Sequence, residues 1–412
     1  MSLDYKFNKK RNKFRKFAIQ TKAEGPDMKL SERIRYVGVN DHSTELFERQ
    51  WPLPYGVSYN SYLVIDEKVA LIDTAAAAFE DEFLENIKNE IGDRKIDYLI
   101  VNHMEPDHSA LQTAIRSEYP DCTIVTNAKA VPMIEGFNGL TDNVRTIKEG
   151  ECLPLGETSL QFFMVPMVHW PETMVTWCAE EKTLFSGDAF GTFKAVNNVV
   201  TDSNPDTFEE YKDEMTRYYA SIVGKYASPV QSALKKLGGL EIKRICSTHG
   251  PVWENHISDV VQYYDKLSRY EASRGVCVAY GSMYGNTEKA ALALAEAIQR
   301  RGIPCELHNL TEENYSFALC DVFKFDTIVL GSPTYNNGIF PPVRQLMEGI
   351  CDRQVKNRRF FAFGSCCWAP ASVKLLGEMA VTAGFEILNE GVTFKQGYNT
   401  SKFNADALAA LI

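Results

Sequence analysis

Val101-Asn102-His103-Met104-Glu105-Pro106-Asp107-His108 places four potential metal ligands within six residues, spaced HxExDH. The apolar run from Ile96 to Val101 reads as a buried strand, and an amphipathic helix is expected to begin near Ser109. A strand end that opens into a short loop is where a sheet can project several side chains toward one point. Imidazole and carboxylate donors in this density suit a binuclear site for iron, manganese or zinc. The absence of thiolates argues against a structural zinc knot.

The same design, an apolar strand followed by a ligand with Gly or Pro close by, recurs further along. His169 follows Gln161 to Pro166, Asp188 follows Leu184-Phe185-Ser186-Gly187, and His249 follows Ile242 to Ser247. One such residue is as often an ordinary polar loop residue as a ligand; the repetition makes chance a poor account of the set.

At 412 residues the chain is too long for one ordinary core, so two domains are expected. Hydrophobic residues make up 45%, and no apolar run reaches membrane-spanning length. Residues 1–16 carry seven Lys and Arg against one acid, which leaves the rest near −16 against a chain total of −10. Such an acidic body argues against broad nucleic-acid binding. The basic start interleaves Phe7, Phe14 and Phe17 with cations and has no apolar core for a secretory signal, so 1–30 reads as a solvated, poorly ordered arm. The ten cysteines show neither framework spacing nor any CxxC, which fits buried free thiols in a reducing cytoplasm.

Short β-rich segments from Ile34 to Asn40, Ser58 to Asp66 and Val69 to Asp73 precede a helix from Phe79 to Ile91. More strands are expected at Cys122 to Thr126, Ser159 to Pro166, Met174 to Cys178 and Thr183 to Ser186. This order predicts two packed sheets with helices outside. A helix from Ile257 to Tyr270 closes the domain, and Ala272-Ser273-Arg274 is a short linker.

Beyond it, the apolar strand Gly275 to Tyr280 runs into Gly281-Ser282-Met283-Tyr284-Gly285-Asn286-Thr287 and an Ala-rich helix to Arg301. Strand, small-residue loop and helix N-terminus together make a phosphate cradle. The loop lacks the lysine of a P-loop and is not GxGxxG. Two later strands, Asp326 to Leu330 and Arg359 to Phe363, end in Gly331-Ser332-Pro333-Thr334-Tyr335-Asn336-Asn337-Gly338 and Gly364-Ser365-Cys366-Cys367-Trp368-Ala369. Strand ends of this kind border the crevice of an open parallel sheet.

HMEPDH, then His169 in VHWPE, Asp188 in FSGDAFG and His249 in STHGP resemble the metallo-β-lactamase fold, and more closely its diiron branch, the flavodiiron proteins or A-type flavoproteins. Hydrolases of that fold usually carry HxHxDH. Here Glu105 replaces the middle histidine, and an anionic oxygen donor suits iron doing redox work better than zinc doing hydrolysis. SMYGNT, SPTYNNG and GSCCW are similar to the three flavin-binding loops of flavodoxin.

The resemblance implies an α/β chain of two parts: a metallo-β-lactamase-like αββα sandwich over 31–271 and a flavodoxin-like doubly wound parallel sheet over 275–412. It implies one iron held by His103, Glu105 and His169, the other by Asp107, His108 and His249, and Asp188 bridging them. It further implies that Ser282, Gly285, Asn286 and Thr287 hold the FMN phosphate, with Met283 and Tyr284 beside them. Thr334, Tyr335, Asn336 and Trp368 would lie along the ring system, with Pro333, Asn337, Gly338, Ser365, Cys366 and Cys367 completing the site. Cys366 and Cys367 depart from the commoner Tyr-Gly pair and read as two buried thiols.

Flavin accepts two electrons and releases them singly, while a diiron centre stores two and binds a diatomic ligand. The implied activity is an oxygen reductase, a nitric oxide reductase, or both, with oxygen ranked first. No rubredoxin or reductase module follows the helical Asn404 to Ile412, so an external donor is expected: rubredoxin, or second a deazaflavin. A head-to-tail homodimer or dimer of dimers would set the flavin of one subunit against the irons of another. The competing readings are a metallo-hydrolase with an accessory flavodoxin-like module and a pure electron carrier.

Overall fold

The computed structural model describes residues 29–412, so the basic arm read over 1–30 lies outside the described residues except for Lys29 and Leu30. Packing divides the chain into two compact units. The first holds the described residues up to Pro166, then Trp170–Tyr211 and Glu241–Ile257; the second holds Met167–His169, Lys212–Leu240 and Ser258–Ile412.

The first unit contains two mixed sheets. One runs in the order Ile34–Tyr36, Tyr62–Ile65, Val69–Ile72, Tyr98–Ile100, Thr123–Asn127, Val144–Ile147; its first two joints are antiparallel and the other three parallel. The other runs Cys152–Pro154, Ser159–Met164, Met174–Cys178, Thr183–Gly187, Arg244–Ser247, antiparallel but for its last joint. Tyr62, Ile72, Ile100 and Val125 of the first sheet share one core with Leu160, Phe162, Met174 and Phe185 of the second. Alternation along Ser159–Met164 buries Leu160 and Phe162 and leaves their neighbours half-covered. Val69–Ile72 is buried throughout, as befits a strand covered on both faces. The helix Glu80–Ile91 turns Phe83, Ile87 and Ile91, four residues apart, into the protein and carries three acids in its first turn, where the helix dipole favours them.

Two predicted strands prove to be split. Ile34 to Asn40 divides into Ile34–Tyr36 and Val39–Asp41, and Ser58 to Asp66 into Val57–Tyr59 and Tyr62–Ile65. Val39–Asp41 and Val57–Tyr59 leave the large sheet and pair with each other. Gly38 lies at the first break, where a Cβ would stand 2.6 Å from the Tyr59 carbonyl oxygen.

In the second unit all strands of the main sheet are parallel, in the order Cys305–Asn309, Ser273–Tyr280, Phe325–Gly331, Arg359–Cys366, with Glu386–Ile387 and Val392–Lys395 both on the last. The central strand pairs Val278 with Leu307 on one side and Val329 on the other. The helix Asn286–Arg300 covers it with Ala290, Ala291, Leu294 and Ile298. The second unit also takes in 212–240 and 258–271, which sequence order places before the linker. Tyr219 packs on Phe323, the Arg353 guanidinium donates to the carbonyls of Ala220 and Ser221, and that of Arg358 donates to the Tyr270 carbonyl. All ten cysteines are free thiols, although Cys152 and Cys367 are exposed. Cys366 and Cys367 are therefore not both buried: they are consecutive at a strand end, and successive side chains there point to opposite sides. Among the described residues no helix is long and apolar enough to cross a membrane.

Candidate functional site

Six of the seven predicted metal ligands converge in the first unit: His103, Glu105, His108 and Asp188 form one group, and Asp107, His108 and His249 another. Each arrives from the end of a strand. Tyr98–Ile100 leads to His103, and Glu105 stands, still extended, just before the short helix Pro106–Ser109. Proline at the first helical position fixes that turn. Asp107 and His108 are consecutive, so a regular helix would splay them by about 100°. His108 instead leaves helical geometry (φ −135°, ψ 15°), and helix resumes only at Gln112–Glu118. The helix expected near Ser109 thus starts earlier and breaks, which is what lets adjacent residues serve one pocket. Asp188 follows Thr183–Gly187 at a register irregularity against Arg244–Ser247, the strand that leads to His249.

His103 Nε2 lies 3.6 Å from Glu105 Oε2 and 3.5 Å from Asp188 Oδ2. His108 Nε2 is 3.6 Å from Asp107 Oδ1 and 3.3 Å from Asp188 Oδ1, and His249 Nε2 is 3.2 Å from Asp107 Oδ2 and 3.6 Å from Asp188 Oδ1. Two donors each about 2.1 Å from one cation, at ordinary coordination angles, stand about 3.0–3.4 Å apart. The observed 3.2–3.6 Å is at or slightly above the length of such polyhedron edges. Both carboxylate oxygens of Asp107 and both ring nitrogens of His108 are buried without a hydrogen bond, a condition that bound cations relieve. Burial by itself would push the His108 imidazole down, but Asp107 and Asp188 outweigh it and hold it well above the ordinary histidine range. His249 is raised for the same reason: burial opposes protonation, and Asp107 and Asp188 overcome it. The pocket demands positive charge.

Supporting residues fix these side chains. Glu172 Oε1 lies 2.7 Å from His103 Nδ1, the Ser58 carbonyl 2.8 Å from His249 Nδ1, and the Thr248 hydroxyl donates to Asp188 Oδ1 at 2.6 Å. Asp73 accepts from the backbone and side-chain amides of Asn102 at 2.8 and 3.0 Å, which holds the loop before His103. None of these supports is assigned in the sequence reading. Glu172 stands in the VHWPE stretch, and a lone acid between apolar segments was the available signal. His169, the seventh predicted ligand, is buried next to Trp170, but it falls outside both groups.

The flavin-loop residues lie at the carboxyl edge of the second unit's sheet. Gly285 (φ 77°) turns the first loop into Asn286–Arg300, whose positive N-terminus faces the loop. Ser282 Oγ accepts from the Gly285 amide at 3.1 Å, and the hydroxyls of Thr287 and Ser365 meet at 3.0 Å, which joins the first loop to the third. The second loop is a hairpin of Thr334–Tyr335 and Gly338–Ile339. Asn336 and Asn337 both adopt positive φ at its tip, the backbone of a two-residue turn for which asparagine is favoured. Thr334 Oγ1 accepts from the Ala371 amide. Gly364 allows a close approach, since a Cβ there would stand 2.1 Å from the Ser332 carbonyl oxygen. Tyr284 and Trp368 are 88% and 80% exposed, so Trp368 is not core. Hydroxyls and a helix N-terminus beside open aromatic rings suit a phosphate joined to a flat ring system.

Two family models match: the ODP family beta lactamase over residues 57–250 and flavodoxin over 278–407. The rubredoxin-oxygen oxidoreductase of Megalodesulfovibrio gigas is 33% identical over 87% of this chain and 90% of its own length. The anaerobic nitric oxide reductase flavorubredoxin of Escherichia coli O1:K1 is 31% identical over 87% of this chain and 76% of its own length. The crystal structure of the flavodiiron protein from Giardia intestinalis superposes with a TM-score of 0.88 at 26% identity, over 95% of this chain and 98% of the other. A buried nitrogen–oxygen pocket with Glu105 among its donors, carried on one chain with a flavodoxin unit, agrees with those relatives over nearly the whole length: the chain belongs to the flavodiiron protein family.

Proposed function

We propose that this protein reduces dioxygen to water at two iron ions, with nitric oxide as the alternative gas and FMN relaying electrons from an external donor. One observation carries the reading: Glu105 closes a thiolate-free pocket 3.6 Å from His103, in a chain that also brings three flavodoxin-type loops to one sheet edge. Two ferrous ions supply two electrons and an open coordination position, and reduced FMN supplies two more, the four that dioxygen requires. His103 and Glu105 would hold one ion, Asp107, His108 and His249 the other, and Asp188 would serve both; His169, which stands outside both groups, is the further donor this reading requires at the first ion. Burial of His103, His108, Asp188 and His249 keeps bulk water from the donor atoms. Ser282, Asn286 and Thr287 take the FMN phosphate, while Tyr335 and Trp368 flank the ring.

Rubredoxin is the donor this reading favours, supported by the names of two relatives, one a rubredoxin-oxygen oxidoreductase and one a flavorubredoxin. A head-to-tail homodimer or dimer of dimers gives the open flavin edge a diiron pocket to face. Ten free thiols fit the cytoplasm. The test is metal and flavin content followed by gas consumption after anaerobic reduction. Two irons and one FMN per chain, with oxygen consumed faster than nitric oxide, is the expected result. Zinc in place of iron, with hydrolysis and no gas turnover, overturns the proposal.

A further inference from the structure

The three histidines of the two converged ligand groups are backed in three different ways. His103 Nδ1 stands 2.7 Å from the Glu172 carboxylate, His249 Nδ1 stands 2.8 Å from the neutral Ser58 carbonyl, and His108 Nδ1 is buried with no hydrogen bond. Glu172 is only 2% exposed; its Oε1 also accepts from the Met104 amide at 3.0 Å, and its Oε2 is buried without a hydrogen bond. Little else disperses its charge. An anionic acceptor draws the Nδ1 proton and makes Nε2 a stronger donor than a carbonyl acceptor can, and an unbacked ring is the weakest and least fixed. The edge of the Trp170 indole against the His103 ring, 5.0 Å between centroids, limits ring rotation as well.

We propose that Glu172 is a positioning residue that makes the cation site built on His103 and Glu105 the tight one and the site built on Asp107, His108 and His249 the labile one, so that the centre fills and empties in order. The inference rests on the diiron reading.

The test is release of iron from the reduced, flavin-loaded full chain to a ferrous chelator. Two irons per chain should leave in two phases at least about tenfold apart. Glu172→Gln keeps shape and accepting oxygen but removes the charge; it should speed the slow phase by about 10–100-fold, the usual range for such partners, and leave the fast phase and the FMN content unmoved. Glu172→Asp should recover part of the slow phase. Thr173→Val, which removes an uncharged hydroxyl 3.4 Å from the same nitrogen, should change it by no more than about twofold. Two irons leaving at one rate, or a Glu172→Gln slow phase equal to wild type, overturns this inference and spares the diiron reading. Fewer than two irons per chain overturns both.

Discussion

Among the described residues, one buried cluster of imidazole and carboxylate lies in each unit, and spacing separates the two. In the second unit His308 Nδ1 is 2.9 Å from Glu313 and Nε2 is 2.8 Å from Asp321, with Lys324 3.1 Å from the same aspartate. In the first unit the Nε2 atoms of His103, His108 and His249 stand 3.2–3.6 Å from carboxylate oxygens. The shorter distances are closed, charge-assisted hydrogen bonds, and both nitrogens of His308 are spent on them. The longer ones are at best loose hydrogen bonds and suit donors gathered around a common cation. Residue types alone do not distinguish a site for a proton from a site for a metal. A few tenths of an ångström do.

The largest effect that follows is at His103. His103→Ala should lower gas turnover by at least about a thousandfold, beyond the ten- to hundredfold typical of residues that only support a ligand, and should lower iron content while FMN stays bound. Metal analysis beside the flavin absorbance checks it. Wild-type turnover in that variant would remove His103 from the site. His308→Gln should leave iron untouched and instead cost about 2 kcal/mol of folding stability, because it takes a charge-assisted partner from Asp321, which keeps Lys324, and from the partly exposed Glu313. The pH dependence gives the sign. Burial by itself would lower His308, but Asp321 and Glu313 raise it to about 9. The unfolded chain protonates near the ordinary value of about 6.5. The contribution is therefore full below about pH 6.5 and is lost as the pH rises through about 9. Urea midpoints across that window should fall for the wild type and stay flatter for His308→Gln.

What could be read from the sequence follows the same division. His103, Glu105, Asp107 and His108 were legible because one loop supplies them all, and Asp188 and His249 because each sits just past an apolar run. Two arrangements were not. Glu172 meets His103 across 69 positions of chain, and no local pattern encodes such a bond. His308, Glu313 and Asp321 come from a strand, the following loop and a helix, and they resemble scattered surface charges until the fold gathers them. The order of elements was readable from periodicity, whereas the breaks at Gly38 and His108 depend on long-range contact, the Tyr59 carbonyl in one case and the shared pocket in the other.

Smaller effects belong to the flavin edge, and they sharpen the contrast because neither buried cluster should respond. If Thr287 holds the FMN phosphate as proposed, Thr287→Ala should cost about 1 kcal/mol, or roughly fivefold in FMN affinity. Iron content and the alkaline step of His308 should both be unchanged. Trp368 is the mildest case. An indole four-fifths exposed has almost no protein packing to lose, so Trp368→Ala should not alter stability. On the proposed reading the indole contacts the ring, a contact worth about 0.5–1.5 kcal/mol, so the FMN dissociation constant by fluorescence titration should rise about two- to twelvefold. An unchanged constant would place the flavin ring out of reach of Trp368 and leave its hold to the hydroxyls and amides of the first two loops.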